Sequence, residues 1–160
     1  MRKVVVNSTP LIILCGVGKL NILKELYGEI IIPPAVFREV TAKKDSACSQ
    51  IQSAGAWICV EPIKDQAEKK MYKAKLHDGE VEVMILAQEQ NADLVILDDN
   101  AAKKTAKYLG LTVTGTLGVL IKAKRQGIIT EVRPIVSEMR QKGFYVSKVV
   151  ERMVLEQVGE

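Results

Sequence analysis

Four side chains carry oxygen donors where this chain turns or a helix begins, Asn7, Glu80, Asp98 and Asp99, and a fifth, Glu39, sits beside the core-facing stripe of a helix. Each has an ordinary use. Asp98 or Asp99 could cap a following helix, and Asp78 and Glu80 suit a helix first turn. Glu39 alone is a solvated helix position, and Asn7 alone a turn or cap amide. As a set they are acidic groups with almost no competing metal-ligand chemistry. The chain has one histidine, His77, and three cysteines, Cys15, Cys48 and Cys59, without CxxC spacing. A zinc site and a disulfide framework are therefore not expected. Oxygen donors alone suit Mg²⁺ or Mn²⁺. An ion held this way activates water and stabilises the oxyanions of phosphodiester displacement.

The elements that must position these groups alternate. Lys3–Val6 is a β-branched strand, and Asn7-Ser8-Thr9-Pro10 follows it, with Ser8 or Thr9 as the cap of an apolar helix over Leu11–Cys15. A short helix over Asn21–Tyr27 is closed by Gly28, and a second strand spans Glu29–Ile32. Pro33-Pro34 opens a helix over about Ala35–Lys43, with Val36, Phe37 and Val40 towards the core and Glu39 beside that stripe. Helices are expected over Asp45–Ala54 and Asp65–Leu76, with a short edge strand at Trp57–Val60 between them.

Asp78-Gly79-Glu80 starts a helix that is apolar nearly all round through Ala87, the pattern of a buried helix. A strand at Leu94–Leu97 runs into Asp98 and Asp99, and a helix over Ala101–Leu109 follows. A strand near Leu111–Val113 leads through Thr114-Gly115-Thr116 into a helix over Leu117–Arg125. Helices over Thr130–Lys142 and Ser147–Val158 finish the chain. Strands alternating with helices predict an α/β fold with a central, mainly parallel sheet covered on both faces. Ligands of such sheets bind beyond the carboxyl ends of the strands, where Asn7, Asp98 and Asp99 fall.

Residues 1–160 read as one domain, and 48% hydrophobic residues suffice for a full core. No apolar run is long enough to span a membrane, and the apolar core near the N-terminus is too short for a signal peptide. With its unpaired cysteines, the chain is expected in a reducing, cytoplasmic setting. The net charge of +4 is compatible with a polyanionic partner and equally with an ordinary solvated surface. Aromatic residues at 4% argue against a base-stacking module. Lys103, Lys104 and Lys107, with Lys122, Lys124 and Arg125 on the next helix, could contact a nucleic-acid backbone if both helices border one edge. Thr116 could approach a phosphate at a helix N-terminus, although a capping turn accounts for it as well. There is no GxxxxGK[ST] or GxGxxG sequence to support nucleotide binding.

The succession Asn-Ser-Thr-Pro-Leu-Ile, Pro-Pro-x-Val-x-x-Glu-Val, Asp-Gly-Glu-Val-Glu, Leu-x-x-Asp-Asp-x-x-Ala-Lys and Gly-Leu-x-Val-x-Gly-Thr-Leu-Gly resembles the PIN domain over about residues 3 to 145. More narrowly it is similar to short PIN-like proteins of bacteria and archaea. The resemblance implies an α/β/α sandwich and Mg²⁺- or Mn²⁺-dependent cleavage of single-stranded RNA, often as the toxin of a toxin–antitoxin pair. It implies Glu39, Glu80, Asp98 and Asp99 as catalytic acids, with Asn7, Glu39, Glu80 and Asp99 as metal ligands. It also implies Thr116 near the RNA, a small antitoxin partner and pairing of two or more copies. The helix at 147–158 could form that interface through Val149, Met153, Val154 and Val158, or pack on its own domain. Asn7 departs from the family pattern, which has aspartate there. An amide keeps one oxygen donor and removes a charge. A weaker site, a site completed by Asp98, and an RNA- or protein-binding module without cleavage all stay open. A phosphotransfer protein would need a nucleophilic aspartate at position 7, so the amide disfavours it.

Overall fold

The computed structural model describes residues 2–42, 46–66 and 78–160. Three apolar triplets make the middle of the sheet: β1 (Val4–Val6), β2 (Ile30–Ile32) and β4 (Leu94–Ile96). Nearly all of these side chains are buried, as expected for strands covered on both faces. β3 (Ile58–Val60) and β5 (Val113–Thr114) are the edges. The order is β3-β2-β1-β4-β5, and every pair is parallel. Val6 pairs with Ile96 and Ile96 with Thr114, so β1, β4 and β5 end level with one another. The chain leaves β1 for one side of the sheet and returns through β4 on the other. That reversal of strand order creates a crevice beyond the carboxyl ends of β1 and β4.

Nine α-helices are described: α1 (Ser8–Gly16), α2 (Asn21–Tyr27), α3 (Pro34–Thr41), α4 (Ser46–Ser53), α5 (Asp78–Glu89), α6 (Asn100–Tyr108), α7 (Thr116–Arg125), α8 (Arg133–Gln141) and α9 (Lys148–Gln157). With the parallel sheet they form an α/β/α sandwich. α5 is buried from Gly79 through Ala87 and packs on β1, β4 and α3, which explains its uninterrupted apolar sequence. α1 packs on α3, α4 and α7. Among the described residues no helix is long and apolar enough to cross a membrane.

Several expected boundaries move for local reasons. α1 begins at Ser8 because Asn7 takes the N-cap position, so neither Ser8 nor Thr9 caps it. β5 lies later than Leu111–Val113 because Gly110 and Leu111 donate their N–H groups to the Lys107 and Ala106 carbonyls, closing α6 instead of joining the sheet. α8 starts at Arg133, since the residues before it are held in a loop by Glu160. Lys43, Asp45, His77 and most of the helix expected over Asp65–Leu76 lie outside the described residues. The apolar stripe of the last helix divides: Val154 is buried in its own domain, whereas Val149 and Met153 are exposed.

Candidate active site

Around the carboxyl edge of the sheet, α1, α3 and α5 meet at Ser8, Glu39 and Gly79, and the β4–α6 and β5–α7 turns meet at Asp98 and Thr116. Asn7 stands directly after β1 and donates its backbone N–H to Ile96 O at 2.9 Å. Its side chain is only 3% exposed and makes no capping bond with α1. Asn7 Oδ1 is buried without a hydrogen-bond partner among the described residues. A buried amide oxygen left unmatched is costly, so this atom is a ready acceptor for a cation or water.

One residue on, the Ser8 hydroxyl donates to Glu39 Oε2 at 2.8 Å. This bond draws the Glu39 carboxylate from α3 towards the start of α1. The other oxygen of Glu39 lies against Gly79, so closely that a Cβ at residue 79 would collide with it. Glu39 is exposed, as expected from sequence, and its carboxylate is nevertheless held between two elements. Glu80 is 7% exposed in the first turn of α5. Glu82, two residues further, is 4% exposed; it accepts the Ala35 N–H at 3.1 Å and lies 3.9 Å from Arg38. Sequence reasoning passed over Glu82 and Ser8. The signal for Glu82 was its position in a helix apolar on every other side, which forces a carboxylate inwards.

Asp98 and Asp99 have different duties. Asp99 is exposed and is the N-cap of α6, its Oδ1 accepting the Ala102 N–H at 2.8 Å. Asp98 turns to the neighbouring strand end. It accepts the Thr116 N–H at 2.8 Å and the Thr116 hydroxyl at 2.7 Å. Thr116 itself is 1% exposed, so its hydroxyl orients Asp98 and does not face a solvent-borne phosphate.

The lysines also separate. Lys103 is half-buried on the first turn of α6, whereas Lys104 and Lys107 are exposed. Lys122, Lys124 and Arg125, whose contact was conditional on both helices bordering one edge, lie in the last turn of α7. α7 starts at the crevice and carries its last turn about 10 Å away, at about 1.5 Å per residue. There Lys122 lies over the Tyr27 ring at 4.7 Å, and Lys124 donates to Thr130 O at 2.7 Å. Burial, helped by nearby Arg2, lowers the Lys122 pKa.

Among the described residues, no three His, Cys, Asp or Glu side chains are gathered as a metal-holding group. The acids share one edge, each anchored to its own neighbour. The donor chemistry nevertheless fits a hard divalent cation: carboxylates and one unsatisfied amide oxygen, without thiolates.

A family model described as a PIN domain matches residues 3–160, and the chain belongs to that family. PIN domains are generally nucleases and generally use divalent metals. Among solved structures, the chain is similar to a PilT N-terminus domain protein from the hyperthermophilic archaeon Sulfolobus solfataricus P2. The two are 17% identical, with 76% of this chain and 92% of that chain covered and a TM-score of 0.46. No curated protein matches the chain.

Proposed function

We propose that this protein is a divalent-metal-dependent endoribonuclease acting on single-stranded RNA, with Asn7, Glu39, Glu80 and Asp98 as the groups around the metal. The observation that carries the reading is the buried, unmatched Asn7 Oδ1 at the β1/β4 crevice of a PIN domain. Asn7 would supply a neutral oxygen ligand, and Glu39 and Asp98 the charge. A Mg²⁺ or Mn²⁺ ion there would activate water and offset charge on the phosphoryl oxygens. Ser8 and Thr116 would fix the two carboxylates before substrate arrives, which limits reorganisation during reaction. Asp99 would serve α6 as its cap, in place of the ligand role expected from the resemblance.

A cytoplasmic toxin that is silenced by a small antitoxin and works as a pair of copies agrees with this activity. The exposed Val149 and Met153 on α9 offer a surface for either contact.

The test is incubation of single-stranded RNA oligonucleotides with protein and Mn²⁺, with a chelated control. Internal cleavage that needs the metal and disappears in Asp98→Asn is expected. Intact RNA with folded protein across millimolar Mg²⁺ and Mn²⁺ would sink the reading. Asn7 specifically favours a second reading, an RNA-binding module without cleavage, because a neutral ligand weakens a hard-cation site. That reading requires RNA binding with no cleavage under any metal.

A further inference from the structure

Gly115 is a glycine for reasons of space. Its φ of −108° and ψ of −176° describe extended backbone that any residue adopts. A Cβ at this position would lie 2.7 Å from Asp98 Oδ1, 2.9 Å from Lys103 Nζ and 3.5 Å from Leu97 O. The missing side chain is thus the place where an ammonium and a carboxylate approach the same point. Both are positioned from below. Asp98 is locked by the Thr116 N–H and hydroxyl. Lys103 is placed by the Asp99 cap, which starts α6, and by its own N–H bonding to Asp99 O at 2.9 Å. Of the three lysines on α6, only Lys103 is partly withdrawn from solvent.

We propose that Lys103 contacts the RNA phosphate that lies beside Asp98, and that Gly115 is bare to admit its ammonium to that position. The inference rests on the nuclease reading for the identity of the phosphate as the scissile one, and on geometry alone for the contact. A lysine is a compact point charge suited to a single phosphoryl oxygen. In a crevice with neutral Asn7, it supplies positive charge that stays in place whether or not a metal is bound. If cleavage occurs, the ammonium stabilises charge developing on the phosphoryl oxygen, so its loss lowers kcat more than it raises KM.

The experiment uses a single-stranded RNA oligonucleotide, kept intact by chelating divalent metal, and measures its binding over a range of salt concentrations. Lys103→Gln is expected to weaken binding about three- to tenfold and to reduce the salt slope by about one. Lys103→Arg should restore most of both. Gly115→Ala should weaken binding in the same direction, because the methyl displaces the ammonium. In parallel cleavage assays with Mn²⁺, Lys103→Gln should lower kcat by about 10²-fold. Equal affinity and equal salt slope for wild type and Lys103→Gln would overturn the proposal. So would an arginine variant as weak as the glutamine one, or a wild type that does not bind the oligonucleotide. Wild-type binding with the Lys103 effect but no cleavage of ordinary RNA would keep this contact and discard the nuclease reading.

Discussion

The Thr116 hydroxyl, 1% exposed at the start of α7, donates to Asp98 Oδ2 across the gap between β4 and β5 at 2.7 Å. With the Thr116 N–H on Oδ1, it fixes the orientation of the carboxylate that follows β4. Thr116→Val keeps the shape and removes the donor. It should cost about 1–3 kcal/mol of stability, since a partly buried carboxylate loses a charge-assisted bond. Thr116→Ser should recover most of that. Urea unfolding of the two variants checks it, and equal stability for both would contradict the role given to the hydroxyl.

Gly79 is pressed against Glu39, and the effect of a methyl there separates folding from function. Glu39 ends in a flexible side chain, so Gly79→Ala can be accommodated by moving the carboxylate. Alanine is the better helix former by up to about 1 kcal/mol. Thermal stability should therefore be unchanged or slightly higher, while Mn²⁺ affinity and cleavage fall. A loss of stability with unchanged metal affinity would show that Glu39 contributes nothing to the site.

Asn7→Asp places a charge where the buried oxygen has no partner among the described residues. Without metal the variant should lose about 1–3 kcal/mol near neutral pH, because a buried unpaired group bears its full desolvation cost. Millimolar Mn²⁺ should return that stability and more, since ligand binding to the folded state alone stabilises by linkage. Urea unfolding with and without Mn²⁺ measures both. Mn²⁺ that stabilises the variant no more than the wild type would contradict the placement of Asn7 at the metal.

Glu160 joins the chain's last residues to the start of α8. Its carboxylate accepts the Val132 N–H at 2.7 Å and the Arg133 N–H at 3.0 Å, with Lys124 Nζ 3.3 Å away. Burial pushes its pKa up, but the two N–H donors and the ammonium outweigh burial, and the net shift is downward. The folded state therefore binds this proton less readily than the unfolded chain. The stabilisation is complete above the ordinary carboxylate range and is lost as pH falls through the depressed folded value. Glu160→Ala should cost about 1–2 kcal/mol at neutral pH, as for loss of a helix cap, and the difference from wild type should shrink in acid. Denaturation at a series of pH values checks this; a constant difference across the acid range would contradict it.

Much of the arrangement was legible in sequence because it rests on short-range rules. Val4–Val6, Ile30–Ile32 and Leu94–Ile96 announce buried parallel strands, and the apolar run of α5 announces a helix at the heart of the domain. The edge holding Asn7 and Asp98 follows from the same alternation. What sequence could not divide was the pair Asp98-Asp99. Adjacent carboxylates at a strand end look alike until the register of β5 brings Thr116 to one and the turn into α6 gives Ala102 to the other. Ser8 was legible as a polar residue at a helix start, but its bond to Glu39 spans 31 residues and depends on how α1 meets α3. Likewise, the condition set on Lys122 and Lys124, that both helices border one edge, depends on the path of α7, which sequence does not give.

Calorimetric titration of the wild-type protein with Mn²⁺, alongside Asp98→Asn, tests the central claim most directly. A site built from Asn7, Glu39, Glu80 and Asp98 predicts saturable binding at millimolar metal or tighter by the wild type, and its loss in the folded variant. No binding by the folded wild-type protein, or equal binding by both, would contradict a metal centre at the β1/β4 crevice.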